Sequence, residues 1–140
     1  MKRRTSPRAD TCILVVDDDP YYLEIIPAVL TQENNVAVLT ASTGFDAGLL
    51  VAEHSPQVVI LDIHLSDIDG RKVCERIKNR KETAAISVLG ISGYLDEKEV
   101  NQLTAYGFDD FLGKPFQIED LRVRVVTLLG KKTKSTRKRK

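Results

Sequence analysis

Five short apolar runs without regular alternation of apolar and polar residues constrain the fold of this 140-residue chain most strongly. Runs of this kind are typical of strands that are covered on both faces, as in a parallel sheet. None approaches the ~20 consecutive apolar residues that a membrane-spanning helix needs. The runs cover residues 12–16, 36–39, 58–61, 86–91 and 111–112.

Amphipathic segments lie between these runs and predict five helices. Asp19 followed by Pro20 indicates where the first helix begins, because Asp is a favoured N-cap and Pro a favoured next residue. Thr43 and Asp46 have the spacing of a capping box, and Gly107 indicates a helix end. Alternating strands and helices with short loops predict an α/β sandwich with right-handed crossovers. The helical segments are 22–30, 43–53, 72–78, 95–106 and 118–129.

Charge is distributed unevenly along the chain, although its formal net charge is only +1. Residues 131–140 hold seven basic residues and no acidic one, and residues 1–10 hold four basic residues and one acidic residue. Residues 11–130 therefore hold 10 basic and 19 acidic residues, a net charge of −9. An acidic body repels phosphates, so nucleic acid or another anionic surface is a weak candidate partner of the basic tail alone. Such a like-charged block is predicted to be disordered.

The length fits one domain. The cysteine content and the start of the chain favour a cytoplasmic location. Cys12 and Cys74 are isolated thiols, which form neither a disulfide framework nor a metal site. The basic start of the chain is not followed by an apolar stretch, so it is not a secretory signal.

Polar side chains follow four of the predicted strands at their carboxyl ends. Asp17 and Asp18 follow the first strand, and Asp62, Ser92 and Lys114 follow the third, fourth and fifth. In open α/β sheets, ligands bind beyond this edge. Carboxylates ~4 Å apart repel by about 4 kcal/mol at an effective dielectric of 20, so three of them with one lysine attract a cation. Oxygen ligands favour Mg²⁺, or Mn²⁺, and a metal, an ammonium and a hydroxyl around one carboxylate suit phosphoryl transfer.

Each of these residues alone has an ordinary structural explanation as a helix cap, a turn or a solvated loop. Their joint occurrence at successive strand ends is what favours a site. The stretches around them resemble the receiver domain of two-component response regulators. The matching stretches are 13–18, 59–62, 69–70, 91–93 and 110–116.

The resemblance covers residues 11–130 and implies a fold and a domain organisation. The implied fold is a single-domain, three-layer α/β sandwich of the flavodoxin-like, receiver type. Its five-stranded parallel sheet has the order 2-1-3-4-5, with five helices. Residues 1–10 are then a flexible basic segment and residues 131–140 a disordered basic tail.

The resemblance also implies roles for the residues at the strand ends. Asp62 takes the position of the phosphoacceptor. Asp17 and Asp18 take the positions of the acidic pair that holds Mg²⁺, together with Asp62 and the backbone carbonyl of His64.

The resemblance implies further roles in contacting the phosphoryl group, in the conformational switch and at the rim of the site. Ser92 takes the position whose hydroxyl binds a phosphoryl oxygen, and Lys114 the position whose ammonium pairs with the phosphoryl group. Phe111 takes the position of the switch aromatic. Tyr94, like His64, lies beside the path of the hydrolytic water, so a bulky ring predicts slow loss of the phosphoryl group. Alternatively, Tyr94 points to solvent and has no such effect.

Three residues depart from the common pattern of the family. Ser66 stands where Pro is usual, which predicts a more mobile loop after the acceptor. Phe108 replaces a small residue and should change packing before the fifth strand. Phe111 lacks the hydroxyl of the commoner Tyr. None of these removes a site group, so the domain is expected to be phosphorylatable.

The expected function is a signalling switch that receives its phosphoryl group from a sensor histidine kinase or a histidine phosphotransfer protein. It is not expected to be an enzyme beyond Mg²⁺-dependent self-phosphorylation and slow autodephosphorylation. Since ten residues follow Gly130, the chain is expected to act without an output domain. It would then contact a downstream protein, or form a homodimer, through the fourth helix, fifth strand and fifth helix.

Two other functions compete with this interpretation. Phosphohydrolases with an aspartate nucleophile generally have a second Asp two residues later, where this chain has His64. His64 could itself be a phosphorelay or metal histidine, although a rim position is the simpler assignment. The basic tail could anchor the chain to nucleic acid, to an anionic membrane or to the acidic body itself, although a solubilising or linker segment is the simpler interpretation.

Overall fold

Strands and helices alternate along the chain. The computed structural model describes residues 10–33 and 35–138, and for residues 131–138 it describes the backbone alone. The strands are β1 (Thr11–Val16), β2 (Val36–Ala41), β3 (Val58–Asp62), β4 (Ser87–Ser92) and β5 (Asp110–Gly113). The helices are α1 (Pro20–Leu30), α2 (Gly44–His54), α3 (Gly70–Lys78), α4 (Glu97–Ala105) and α5 (Ile118–Lys138).

The strands form one parallel sheet in the order β2-β1-β3-β4-β5, which confirms the predicted fold. In the register of the sheet, Val16 lies opposite Leu61, and Asp62 lies opposite Ile91. The carboxyl ends of the three central strands are therefore level. Residues that immediately follow these strands meet at one edge.

Apolar side chains of the sheet pack on both of its faces. All five residues of β3 are buried. Val59 and Leu61 belong to a core cluster that includes residues of α2 and α3. Val58 and Ile60 belong to a second cluster that includes residues of α1 and α5. This two-sided burial explains why the strand runs lack alternation.

Side-chain caps define the starts of the first four helices. Asp19 accepts a hydrogen bond from the Tyr21 amide at 2.9 Å, and Pro20 follows it, as predicted. The Thr43 hydroxyl accepts from the Asp46 amide at 3.0 Å. The caps of α3 and α4 are Asp69 and Asp96.

The fourth helix ends at the glycine that the sequence indicates. Gly107 has a φ of +101°, a conformation that side chains with a Cβ rarely adopt. The amide of the next residue, Phe108, donates to the carbonyl of Leu103 at 3.2 Å. This bond closes the helix end as in a Schellman motif.

Helix α5 differs from its prediction, because its backbone is helical through Lys138 rather than disordered beyond Gly130. Extending an existing helix avoids the cost of nucleation, and Lys and Arg are good helix formers. Residues 139–140, and 1–9 of the predicted N-terminal segment, lie outside the described residues. Within the described part of the chain, no helix is long and apolar enough to cross a membrane.

Candidate functional site

Three carboxylates converge at the carboxyl edge of the sheet. One oxygen from each of Asp17, Asp18 and Asp62 lies within 4.8 Å of the others. Asp17 and Asp62 are only 3% and 5% exposed, whereas Asp18 is exposed. The structure therefore brings together the three aspartates that the sequence places after β1 and β3.

Lys114 places its ammonium among these carboxylates. Its Nζ lies 2.9 Å from Asp17 Oδ2 and 3.4 Å from Asp62 Oδ2. The same nitrogen lies 4.2 Å from the centre of the Tyr22 ring, a cation–π arrangement. The Lys114 amide donates to the Ser92 carbonyl at 2.8 Å, which fixes the start of the β5–α5 loop beside β4.

Burial and charge shift the titration of two groups in the cluster. Burial raises the pKa of Asp17 to about 6, although the hydrogen bond from Lys114 acts in the opposite direction, and the charge of Asp62 raises it further. Burial alone would lower the pKa of Lys114, but its pairing with Asp17 and Asp62 outweighs this and raises the pKa. The shift of Asp17 is therefore mainly an effect of burial, whereas the shift of Lys114 reflects its pairing with the two carboxylates.

The donor set fits Mg²⁺ or Mn²⁺. The cluster offers only oxygen ligands, and three carboxylates exceed the one ammonium by two charges. Within the described residues, the side chain of Asp18 has no hydrogen bond or ion pair, so its oxygens are available to a metal. The His64 amide donates to Asp62 Oδ1 at 3.1 Å. A metal contact from the His64 carbonyl stays a prediction.

Ser92 lies at the end of β4 with its side chain fully buried. Its hydroxyl donates to Glu99 Oε2 at 3.1 Å and accepts from the Tyr94 amide at the same distance. The Tyr94 ring is 80% exposed, which agrees with the alternative in which it points to solvent. The His64 side chain is half-exposed, with Nε2 3.9 Å from Glu99 Oε2, a position at the rim.

Phe108 and Phe111 pack together beside β4. Their ring centres lie 6.4 Å apart, and Phe108 is buried while Phe111 is half-buried. A Cβ on Gly90 would lie 2.8 Å from a ring carbon of Phe108. The large residue at 108 is therefore accommodated because position 90 in β4 has no side chain.

Sequence reasoning missed three residues around the site. Tyr22 and Glu99 lie in the first and fourth predicted helices, and their contacts with Lys114 and Ser92 were not predicted. Asp67 accepts from the amides of Gly44 and Phe45 at 2.9 and 3.1 Å, and so ties the β3–α3 loop to the start of α2. The single available signal in the sequence was that Asp67 lies in the loop that follows Asp62.

The family model of the response regulator receiver domain matches residues 13–126, which is most of the chain. The chain belongs to this family. It is 32% identical over 117 residues to the DNA-binding dual master transcriptional regulator RpaA of Synechocystis, covering 84% of this chain and 48% of RpaA. It is 36% identical over 123 residues to the transcriptional regulatory protein KdpE of Mycobacterium tuberculosis, covering 88% of this chain and 53% of KdpE. The chain spans about half the length of these relatives.

Solved receiver domains share the fold. The receiver domain of a DNA-binding response regulator from Colwellia psychrerythraea has a TM-score of 0.81 at 30% identity, covering 86% of this chain and 99% of that one. A CheY-like receiver domain protein from Methanospirillum hungatei has a TM-score of 0.82 at 23% identity, covering 89% and 98%. The second likeness concerns the fold alone.

Proposed function

We propose that this receiver domain accepts a phosphoryl group on Asp62 and thereby switches its contacts with other proteins. The observation that carries the proposal is the convergence of Asp62 with Asp17, Asp18 and Lys114 at one edge of the sheet. Members of the family are generally signalling switches rather than classical enzymes, which favours a switch over the phosphohydrolase alternative.

The chemistry would be an in-line displacement at phosphorus. A carboxylate oxygen of Asp62 forms the new P–O bond while the bond between phosphorus and a donor histidine nitrogen breaks. The electron pair of the broken bond returns to the donor imidazole. Bound Mg²⁺ would balance the charge of the phosphoryl oxygens, held by Asp17, Asp18 and Asp62.

Lys114 and Ser92 would contact the transferred group. The Lys114 ammonium already lies 3.4 Å from Asp62, so a phosphoryl oxygen on that carboxylate would be within reach of an ion pair. Asp62 in β3 pairs with Ile91 in β4, and Ser92 is the next residue of β4. The Ser92 hydroxyl therefore belongs to the strand beside Asp62. Phe111 would change rotamer in response.

The proposed donor is a sensor histidine kinase or a histidine phosphotransfer protein. The proposed output surface comprises α4, β5 and α5, where Arg124 Nη1 lies 2.9 Å from Asp110 Oδ1 and links α5 to β5. A downstream protein or a second copy of the chain would bind there. A cytoplasmic location stays a prediction from the sequence.

A phosphorylation assay tests the proposal. The full chain is incubated with acetyl phosphate and Mg²⁺, and its intact mass is measured. We expect one added phosphoryl group on the wild type and none on Asp62→Asn. Asp46→Asn, which removes an exposed carboxylate from α2, serves as the control and should behave as the wild type. Labelling of Asp62→Asn, or no labelling of the wild type, would contradict the proposal.

A further inference from the structure

The hydroxyl of Ser92 is already used in this structure. A serine hydroxyl has one proton to donate, and a carboxylate can only accept. Ser92 Oγ therefore donates that proton to Glu99 Oε2, 3.1 Å away. The amide of Tyr94 donates to Ser92 Oγ at 3.1 Å and helps to fix the orientation of the hydroxyl.

Glu99 lies beside the side chains of Arg71 and His64, which belong to a different part of the fold. Its side chain is 13% exposed, and Oε1 lies 3.7 Å from Arg71 Nη1 while Oε2 lies 3.9 Å from His64 Nε2. Arg71 is anchored in turn by Asp69 at 2.9 Å and by Gln102 at 3.2 Å. The Glu99 carboxylate thus joins the β3–α3 loop, α3 and α4 to the end of β4.

We propose that Glu99 is a positioning residue that competes with the phosphoryl group for the proton of Ser92. This inference rests on the proposed function of Asp62. Because one proton cannot serve two acceptors, the bond between Ser92 and Glu99 must break before Ser92 donates to a phosphoryl oxygen. Glu99 thereby stabilises the unphosphorylated conformation.

The same competition links the site to the first turn of α4. When Ser92 leaves Glu99, the contacts of the carboxylate with other described side chains are those with Arg71 and His64. The start of α4 then loses its direct side-chain bond to β4. Phosphorylation of Asp62 would in this way change the attachment of a helix that belongs to the proposed output surface.

Titration with beryllium fluoride and Mg²⁺, a mimic of the aspartyl phosphate, tests the inference on the full chain. Affinity is measured from the NMR signals of the β4 amides. Glu99→Ala should bind about tenfold more tightly than the wild type, the factor expected for one hydrogen bond to a charged group. Glu97→Ala removes an exposed carboxylate from the same helical turn and should leave the affinity unchanged.

Two further variants separate competition for the proton from simple charge repulsion. Glu99→Gln removes the charge but keeps an acceptor oxygen and the side-chain shape, so its affinity should lie closer to the wild type than to Glu99→Ala. In a Ser92→Ala background, Glu99→Ala should change the affinity by less than about twofold, because its effect acts through Ser92. An equal gain in both backgrounds, or equal affinities for the Gln and Ala variants, would overturn the inference.

The outcomes also distinguish the inference from the function on which it rests. A wild type that does not bind beryllium fluoride on Asp62 contradicts the proposed function. A wild type that binds it, together with a Glu99→Ala variant of the same affinity, contradicts the role of Glu99 alone.

Discussion

Lys114 contacts both buried carboxylates of the site, and its contribution depends on the state of Asp62. In the phosphorylated state its ammonium would gain a phosphoryl oxygen as a partner. A modification shifts a two-state equilibrium only by such differential energy. Lys114→Ala should keep Mg²⁺ binding, because the three aspartates remain, but should weaken the conformational response by about 1.5–3 kcal/mol.

The NMR shifts of Phe111 with and without beryllium fluoride measure this response. For Lys114→Ala we expect shifts that stop short of the wild-type end point at saturating ligand. A variant that reaches the full wild-type end point would show that the ammonium does not couple the site to the switch.

Repulsion between Asp17 and Asp62 gives a second prediction at the scale of single residues. Asp62→Asn removes one of the clustered charges while keeping the side-chain shape, and should raise the free energy of unfolding in metal-free buffer by about 1 kcal/mol. For a domain of this size that corresponds to a Tm increase of about 3 °C. Thermal unfolding in EDTA checks the prediction, with Asp46→Asn as the control. A lower Tm for Asp62→Asn would show that repulsion between the carboxylates does not destabilise the fold.

At the scale of elements, β4 packs closely against the segment before β5 because Gly90 has no side chain. A methyl group on Gly90 would lie 2.8 Å from the ring of Phe108, which is buried and cannot move freely. We expect Gly90→Ala to lower the free energy of unfolding by about 2 kcal/mol. Gly93→Ala is a matched control, because a Cβ there meets nothing within 4 Å. Chemical denaturation measures both.

A second substitution shows whether the clash is the cause. Phe108→Leu shortens the ring side chain, so it should cost less stability in the Gly90→Ala background than in the wild type. Additive losses in the double variant would mean that positions 90 and 108 do not compete for space.

The contact between the β3–α3 loop and α2 predicts a pH dependence. The amides of Gly44 and Phe45 donate to Asp67 and hold the pKa of its carboxyl below its usual range, with the Gly44 bond the largest cause. A lowered pKa in the folded state means that the ionised group stabilises the fold above the unfolded pKa of about 3.9. That contribution is lost as the pH falls through the folded pKa. The Tm difference between the wild type and Asp67→Asn should therefore be present at neutral pH and shrink below about pH 4. A difference that is constant with pH would contradict this.

The strands and the site edge could be predicted because each depends on local sequence. Buried parallel strands leave continuous apolar runs, and their carboxyl ends share one edge, so Asp17, Asp62 and Lys114 could be placed together from the sequence. Tyr22 and Glu99 could not, because their contacts with Lys114 and Ser92 depend on the rotation and tilt of helices. The sequence does not predict the helical extension of α5, because the like charges of the tail repel, whereas adding turns to an existing helix needs no new nucleation.

At the scale of the whole molecule, an acidic body carries basic ends. Residues 131–140 hold seven basic residues, whereas residues 11–130 carry a net charge of −9. Any binding to DNA should therefore depend on the tail, with an affinity in the nonspecific range of about 10⁻⁴–10⁻⁶ M and a steep decrease with salt. Band-shift assays of the full chain compare the wild type with a variant whose seven tail cations are Gln. Binding that persists in this variant, or that does not weaken with salt, would exclude phosphate neutralisation by the tail.

Locating the phosphorylated residue tests the central claim most directly. The full chain is labelled from a phosphorylated histidine donor with Mg²⁺ or with EDTA, and the label is assigned by peptide mapping. We predict that the label is found on Asp62 alone and that it requires the divalent cation, because the uncompensated charge of Asp17, Asp18 and Asp62 otherwise repels the phosphoryl group. Label on any other residue, or equal labelling in EDTA, would contradict the account.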